Sequence, residues 1–526
     1  MPQSSRRTGS LTGAKGHVVM GLLFFPRGGS AQVTRYLSAA LARSDWSVGL
    51  VAGSLGTAGD ETHAPTFFAG AAVHSLDYSD AERRFAAGGS AVEAAVPMHP
   101  SYEDRADAPD VVFAAVPPGA AEHLAAVWEA PLAYAGADHA DVFHLHHLTP
   151  QHDAVRHRWP ATAVVAHLHG TELKFVEAVD RRVALATTVG TTLAAMPEWV
   201  ATNPYGSPDL DDAQLRLLHT TRWSQWRHGE FWRDRLRRQA RAADHLVVVS
   251  PTDRATAGAV LGVTPDRVTD VPNGVDVERF RPQPPSVERR RVQFRHWLVE
   301  DPRGWDEDGF AGSVAYREPD LDRLQGVVLM YVGRFSAAKR VPLLVRAFAR
   351  ARPHFDRLAA LVVWGGHAGE WEDEHPVTVA RGVGDEGIFF AGWRGHDELP
   401  DALAASHALV MPSVNDSYPQ APLEAMAVGL PVVATTSGGF PFMINVEPAR
   451  PTGWLVEPDD EVAFSEALIE VVNHPQERAR RGAAALTYAR AHLSWDGRVD
   501  GFQEAYARAA ERRTARVAGS TLRFPV

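Results

Sequence analysis

Residues 407–439, HALVMPSVNDSYPQAPLEAMAVGLPVVATTSGG, restrict the fold more than any other stretch. An apolar run at 409–411 leads into turn residues at 412–422, a helix-compatible segment at 423–428 and a β-branched run at 431–435. This order predicts a strand, a loop, a helix and a second strand, a βαβ unit that needs a parallel sheet to bury it. Two carboxylates, Asp416 and Glu424, stand either side of seven residues, one in the loop and one in the first turn of the helix.

Ligands of open α/β sheets bind at the carboxyl ends of strands, where a helix N-terminus offers orphan N–H groups and a positive dipole end to phosphate. A carboxylate placed there cannot cradle phosphate itself, but it accepts hydrogen bonds from the sugar hydroxyls of a phosphate-bearing ligand. The stretch therefore points to a nucleotide-sugar site. In this setting it resembles the retaining glycosyltransferases of family four (glycosyl transferases group 1, GT-B fold), which carry two glutamates separated by seven residues. The resemblance implies an α/β protein with two Rossmann-like doubly wound domains facing a central cleft and a C-terminal helix crossing back to the first domain. The expected boundaries are 15–280 for the N-terminal acceptor-side domain, 281–325 for a linker or insertion, 326–493 for the nucleotide-sugar-binding domain and 494–515 for the returning helix.

Length agrees with two lobes, since 526 residues that are 45% hydrophobic can bury two full cores. Fifty-three basic against sixty-four acidic residues give a net charge of -11, which opposes nucleic acid as a partner. The chain has no cysteine, so disulfides, thiolate catalysis and cysteine-ligated zinc are excluded. Arg6 and Arg7 precede an apolar run at 18–25, superficially like a twin-arginine signal. The run is short and passes straight into Pro26-Arg27-Gly28-Gly29-Ser30, as a first strand entering a glycine turn would. No stretch approaches the roughly 20 apolar residues that span a bilayer. A cytoplasmic protein is expected.

In the N-terminal half, Gly28 and Gly29 form a turn after the first strand that lets backbone approach a ligand, and the resemblance places this turn against the donor. The segments 141–147 (DVFHLHH) and 161–170 (ATAVVAHLHG) read as buried strands ending in histidines. Strand alternation puts His144 and His146 on one face, and likewise His167 and His169. No carboxylate or cysteine completes a ligand set at metal-like spacing, so no metal is expected and the histidines are taken as hydrogen-bonding groups. The resemblance matches His169-Gly170-Thr171 to a strand-end His-Gly motif whose histidine contacts the transferred sugar or the acceptor. His146, His147, His167 and Thr171 are acceptor-side candidates.

Residues 184–221 show little pattern and are open to being an acceptor-recognition insertion, a lid or a surface loop. Residues 223–243 predict a helix with Trp223, Trp226 and Trp232 among Arg227, Arg233, Arg235, Arg237, Arg238 and Arg241. Such a helix could lie on an anionic membrane, but the stripe Trp232, Leu236, Ala240, Ala243 favours a packed helix with a solvated arginine face.

Val271-Pro272-Asn273-Gly274-Val275-Asp276 is a turn by composition and matches the family's signature between lobes. An apolar strand at 326–332 is followed by Gly333-Arg334-Phe335-Ser336-Ala337-Ala338-Lys339-Arg340. Breaking a sugar–phosphate bond leaves negative charge on a diphosphate, and two cations fixed in a loop stabilise it. Arg334 supplies a bidentate fork and Lys339, one of only three lysines, a compact point charge.

By resemblance the catalytic residues are His169, Arg334, Lys339 and Asp416. The donor is held by Gly28, Gly29, Asn273, Gly333, Arg334, Lys339, Trp393, Arg394, Asp416, Ser417, Tyr418, Pro419, Gln420 and Glu424. Glu424 takes the ribose, Asp416 the hexose, and the base lies near Trp393 and Arg394. Asp416 replaces the usual glutamate and is one methylene shorter, so either the donor sits deeper or its hydroxyl pattern differs, and Pro419 stands where a glycine often donates an N–H that proline lacks. The implied reaction is retaining, metal-independent transfer of a hexose-type sugar from a UDP, GDP or ADP sugar, with no other cofactor, to a hydroxyl of a small polar acceptor (sugar, aminocyclitol or natural product). The alternatives are a non-catalytic nucleotide-sugar-binding partner, a lipid-acceptor enzyme at a membrane surface, and, within the same fold, an epimerase or phosphorylase. The donor base, the acceptor and the oligomeric state are not encoded in these motifs.

Overall fold

Strands buried on both faces of a parallel sheet are apolar throughout rather than alternating. Val18, Val19, Met20 and Leu22, and again Val327 to Met330, follow that pattern and are fully or almost fully buried in the computed structural model, which describes residues 15–105, 108–447 and 449–521. The twin-arginine motif at Arg6 and Arg7 lies outside the described residues. The chain divides into two units, Met1–Pro272 with Val499–Val526, and Asn273–Arg498.

The first unit holds a seven-stranded, wholly parallel sheet built from β1 (Gly16–Leu22), β2 (Trp46–Ser54), β3 (Val73–Asp77), β4 (Val142–His146), β5 (Ala163–His167), β6 (His245–Val248) and β7 (Val268–Asp270) in the order β3-β2-β1-β4-β5-β6-β7. The chain winds outward from β1, then returns to β4, so the switch point lies between the carboxyl ends of β1 and β4. Register pairs His146 of β4 directly with His167 of β5.

The second unit holds a six-stranded parallel sheet, β8 (Val327–Val332), β9 (Ala359–Trp364), β10 (Ile388–Gly392), β11 (Ala408–Met411), β12 (Val432–Thr435) and β13 (Gly453–Val456), ordered β10-β9-β8-β11-β12-β13. Its switch point falls between β8 and β11. Both sheets are Rossmann-like and doubly wound, as the sequence predicts.

Residues 184–221 are mainly helical rather than a loop: helix Thr171–Thr188 runs on past 184, and helices Met196–Thr202 and Asp212–Thr220 follow, the last with a capping box between Asp211 and Gln214. The basic, tryptophan-bearing segment is a 3₁₀ turn, Trp223–Trp226, and a helix, Gly229–Ala242. Trp232, Leu236, Ala240 and Ala243 are buried as expected, and Trp232 donates its indole N–H to Val116 O at 2.8 Å. The arginine face is less solvated than expected. Arg233 and Arg237 both reach Asp180, and Arg235 bridges Asp153 and Glu122.

Residues 281–325 belong to the second unit. They supply helix Val287–Arg295, a π turn at His296–Glu300 and the 3₁₀ helix Glu318–Gln325, with Trp297 and Trp305 buried. Helix Val499–Thr521 packs on β5 and β6 of the first unit. Its anchor is Asp244, fully buried, whose Oδ2 accepts from Arg156 at 2.8 Å, Arg513 Nε at 3.0 Å and the Val164 N–H at 2.9 Å, while Arg516 reaches Oδ1 at 3.2 Å. No described helix is long and apolar enough to cross a membrane.

Candidate active site

In the second unit, the loops after β8 and β11 flank the switch point, and an ion pair joins them. Lys339, ending the 3₁₀ turn Ala337–Lys339, donates to both Asp416 oxygens at 2.9 and 2.7 Å. The pair is mostly shielded, with 16% and 17% side-chain exposure, so the only lysine of this unit faces the first of the two spaced carboxylates. Val414 N–H donates to Ala338 O at 2.8 Å and ties the same two loops through backbone.

Tight backbone packing holds the Asp416 loop. Gly439 N–H donates to Asp416 O at 2.7 Å. A Cβ on Gly439 would lie 1.9 Å from Ser417 O, and one on Gly438, at φ +65°, 2.2 Å from Asp416 O. Only glycine allows the 436–439 turn to lie against 416–418. Asn273, buried, donates its amide to Tyr418 O at 2.9 Å and so supports the loop. Burial pushes the Tyr418 phenol up to about 12.

Helix Gln420–Ala427 begins at Pro419 with no side-chain cap, leaving first-turn N–H groups at the carboxyl end of β11. The Gln420 amide nitrogen is buried without a protein partner. Glu424, almost fully buried, takes a 2.7 Å bond from His396 Nε2 on Oε1. The sequence did not single out His396, and nothing local marks it, since its partner lies 28 residues away.

Trp393 stacks on His367 with centroids 4.9 Å apart. Arg394, expected near a base held largely by backbone, commits its side chain to protein partners. It is fully buried, with Nη1 on Asp301 at 3.1 Å, Nε on Ala391 O at 3.1 Å and Nη2 on the carbonyls of Trp297 and Asp301. The guanidinium is committed to residues 297–301 and to the Ala391 carbonyl. Gly333 packs against the Tyr331 hydroxyl, which donates to Arg334 O at 2.8 Å and shapes the loop that carries the second cation.

In the first unit, Gly28 caps helix Gly29–Arg43, and a Cβ on either glycine would meet nothing within 4 Å, so their freedom answers to no protein neighbour. At the carboxyl ends of β4 and β5 five histidines stack. His144 Nδ1 meets Tyr506 Oη at 2.7 Å and its Nε2 meets His167 Nδ1 at 3.0 Å. His146 Nδ1 meets His169 Nε2 at 2.9 Å. Gly170, at φ +90°, turns the chain from β5 into helix Thr171–Thr188, whose Glu172 is fully buried beneath them.

His144, His146 and His167 bring one ring nitrogen each within 4.8 Å of one another, a grouping among the described residues that could hold a metal ion. Nitrogens on a tetrahedral zinc lie roughly 3.3 Å apart, given bonds of about 2.0–2.1 Å, and both His144 nitrogens already have partners. The trio as it stands is a hydrogen-bonded stack.

Burial is the main cause pushing these imidazoles below their ordinary value of 6.5: His144 to about 3, and His146, His167 and His169 well below, with neighbouring histidines adding to the fall. His152 and His407 also fall to about 3 and His245 to about 4. Below about pH 6.5 the unfolded chain protonates these groups while the folded chain keeps them neutral, so stability is present above 6.5 and is lost as pH falls toward 3. Each contributes a slope of roughly 1.4 kcal/mol per pH unit in that window. The urea midpoint should fall steadily from pH 7 to pH 5; a flat profile would mean that the rings are solvated.

Cations and carboxylates on paired loops at the switch point of one doubly wound sheet, and a second doubly wound sheet ending in a histidine cluster, define the class: a GT-B glycosyltransferase fold. Residues 27–279 match the family model described as Glycosyltransferase Family 4, and residues 326–474 the model described as Glycosyl transferases group 1. The chain belongs to the family-four, group 1 glycosyltransferases. It is 29% identical over 333 residues to the D-inositol 3-phosphate glycosyltransferase of Stackebrandtia nassauensis, covering 61% of this chain and 67% of that one. With the protein of the same name from Salinispora tropica it shares 31% over 279 residues, 52% of each chain. The chain thus spans from about half to about two thirds of these relatives' length. Among solved structures it resembles the catalytic domain of starch synthase IV from Arabidopsis thaliana bound to ADP and acarbose (TM-score 0.59, 14% identity, 94% and 99% of the two chains). It also resembles sucrose-phosphate synthase from Thermosynechococcus elongatus (0.56, 17%, 94% and 99%). At these identities the likeness is one of fold.

Proposed function

We propose that the chain is a retaining, metal-independent hexosyltransferase that moves a sugar from a nucleoside diphosphate to a hydroxyl of a small polyhydroxylated acceptor, a cyclitol or a sugar. The observation that carries this is the Lys339–Asp416 pair across the β8/β11 switch point. A diphosphate entering there takes Lys339 from Asp416, and the freed carboxylate accepts from the hexose hydroxyls. Arg334, Lys339 and the uncapped N-terminus of helix Gln420–Ala427 then face the developing charge. Glu424, with one oxygen fixed by His396, offers the other to the ribose hydroxyls. Asn273, Gly333, Ser417, Tyr418 and Pro419 shape the pocket, Trp393 with the Arg394 backbone flanks the base, and the family resemblance assigns Gly28 and Gly29 of the first unit to the donor.

In the reaction, the bond from the anomeric carbon to the β-phosphate oxygen breaks and the acceptor oxygen attacks from the same face. The departing phosphate takes the acceptor's proton, so configuration is retained without an enzymic nucleophile. The family resemblance assigns His169 to the transferred sugar or the acceptor, with His146, His167 and Thr171 as acceptor-side residues of the first unit. The curated relatives' printed acceptor, an inositol phosphate, supports a cyclitol, and UDP and ADP complexes among the structural neighbours support a nucleotide donor. A cytoplasmic setting goes with this reading.

Nucleotide release from UDP-, GDP- and ADP-sugars, with and without chelator, tests it. Release from one donor, unaffected by chelator and stimulated by a cyclitol or sugar, is expected. Tight nucleotide binding with no release under any condition would instead indicate a binding partner, and loss of release with chelator would overturn metal independence.

A further inference from the structure

We propose that segment 297–316 of the second unit's insertion buttresses the donor loops, with Trp305 as the positioning residue of the cation loop 333–340; this rests on the transferase reading above.

The loops after β8, β9 and β10 carry groups assigned to the donor, and glycine stands at each strand end: Gly333, Gly365 with Gly366, and Gly392. Glycine leaves such loops soft, so other contacts must fix the cations before the donor arrives. Backbone links the three in series, Gly333 N–H donating to Trp364 O at 3.0 Å and Gly365 N–H to Gly392 O at 2.9 Å.

Trp305, almost fully buried, stacks its indole on Phe335, with centroids 5.1 Å apart and planes 24° from parallel, and donates Nε1–H to Gly366 O at 3.0 Å. A Cβ on Gly366, at φ +77°, would lie 2.9 Å from the Phe335 ring, so that backbone pins the ring as well as the indole does. Glu372 N–H donates to Phe335 O at 2.9 Å, and the Glu372 carboxylate accepts the Ala337 N–H at 2.7 Å, at the start of the turn that ends at Lys339. Trp371 and His375, either side of Glu372 in the chain, pack on Trp305 at 5.9 and 4.7 Å between centroids. The indole therefore touches both the loop that carries the cations and the segment that caps it.

The β10 end is held by the same insertion. Asp301 and the Trp297 carbonyl take up the Arg394 guanidinium, Tyr316 Oη accepts the Phe390 N–H at 2.8 Å, and a Cβ on Gly392 would collide with Arg303 O. Trp297 donates to Glu398 at 2.6 Å and packs edge-on against Trp364 at the end of β9. β10 is an edge strand, and covering an edge accounts for Tyr316. It does not account for Trp305, whose face and N–H are spent on the loops after β8 and β9.

The test uses the whole protein, reading the Kd for UDP, GDP and ADP beside kcat and KM with the preferred donor. Trp305→Leu removes the stack and the N–H. It should lower kcat about ten- to a hundredfold and weaken nucleoside diphosphate binding about three- to tenfold, with the acceptor KM within about twofold. In a Lys339→Ala background the same replacement should change Kd by under about twofold, because the cation it positions is gone. Trp305→Phe keeps an aromatic face, loses the bond to Gly366 O and should lower kcat about three- to tenfold; it carries the test where Trp305→Leu does not fold. Wild-type kcat and Kd in a folded Trp305 variant, or Kd changes that multiply in full in the double variant, overturns the buttress. If the wild-type protein binds a nucleoside diphosphate but transfers no sugar, the transferase reading fails and Trp305 is judged on Kd alone; binding of none of the three overturns both.

Discussion

Lys339→Ala is expected to lower kcat by about 10²- to 10³-fold, the loss that follows removal of one preorganised group stabilising charge in a transition state. Lys339 is the one lysine of the second unit, since Lys15 and Lys174 lie in the other. Its ammonium already sits within 2.9 Å of the carboxylate assigned to the hexose, so the cation is placed before the donor arrives. Stability should also fall, by about 1–3 kcal/mol, because the pair is mostly shielded and Asp416 loses a charged hydrogen-bond donor. Steady-state kinetics with the preferred donor, alongside urea unfolding, separate the two effects. Turnover within threefold of the wild type would remove Lys339 from the mechanism.

Asp244→Ala should destabilise the first unit by about 3–5 kcal/mol, the cost of leaving buried partners of a charge unsatisfied. Arg156, Arg513 and the Val164 N–H all converge on one of its oxygens, and Arg516 on the other. Asp244→Asn retains one acceptor oxygen and should lose less. Amide hydrogen exchange along helix Val499–Thr521 should accelerate by about 10²- to 10³-fold in the alanine variant, as the local opening free energy falls. Unchanged protection there would show that apolar packing of Phe502 and Tyr506 holds the helix without the charges.

Both sheets were legible because doubly buried strands leave unbroken apolar runs, and the site loops because they directly follow those runs. Local pattern carried Arg334, Lys339, Asp416 and Glu424 to the carboxyl ends of β8 and β11. Pairings across long separations were not legible: Lys339 meets Asp416 over 77 residues, and Arg394 meets Asp301 over 93. An arginine next to a strand end looks the same in sequence whether it faces a ligand or plugs an insertion. Residues 184–221 escaped because their helices are short and mixed in composition, although Asp211-x-x-Gln214 was a visible start signal. Glu172 escaped for the opposite reason. Three residues after His169, it reads as an ordinary first-turn acid, and only the fold turns both its oxygens onto histidines.

The second unit is one unbroken segment, 273–498, and its two ends meet: Val275 N–H donates to Leu493 O at 2.7 Å, and Val275 bridges Ser494. The first unit is split around it and takes back helix Val499–Thr521, which covers β5 and β6 and caps the histidine stack through Tyr506. On the ribosome this imposes an order of birth. The second unit can close as soon as residue 498 has emerged, whereas the first unit, begun earlier, keeps one face of its sheet uncovered until residues 499–521 follow. A chain stopped at residue 498 would leave a finished second unit attached to a first unit whose β5 and β6 lack their covering helix.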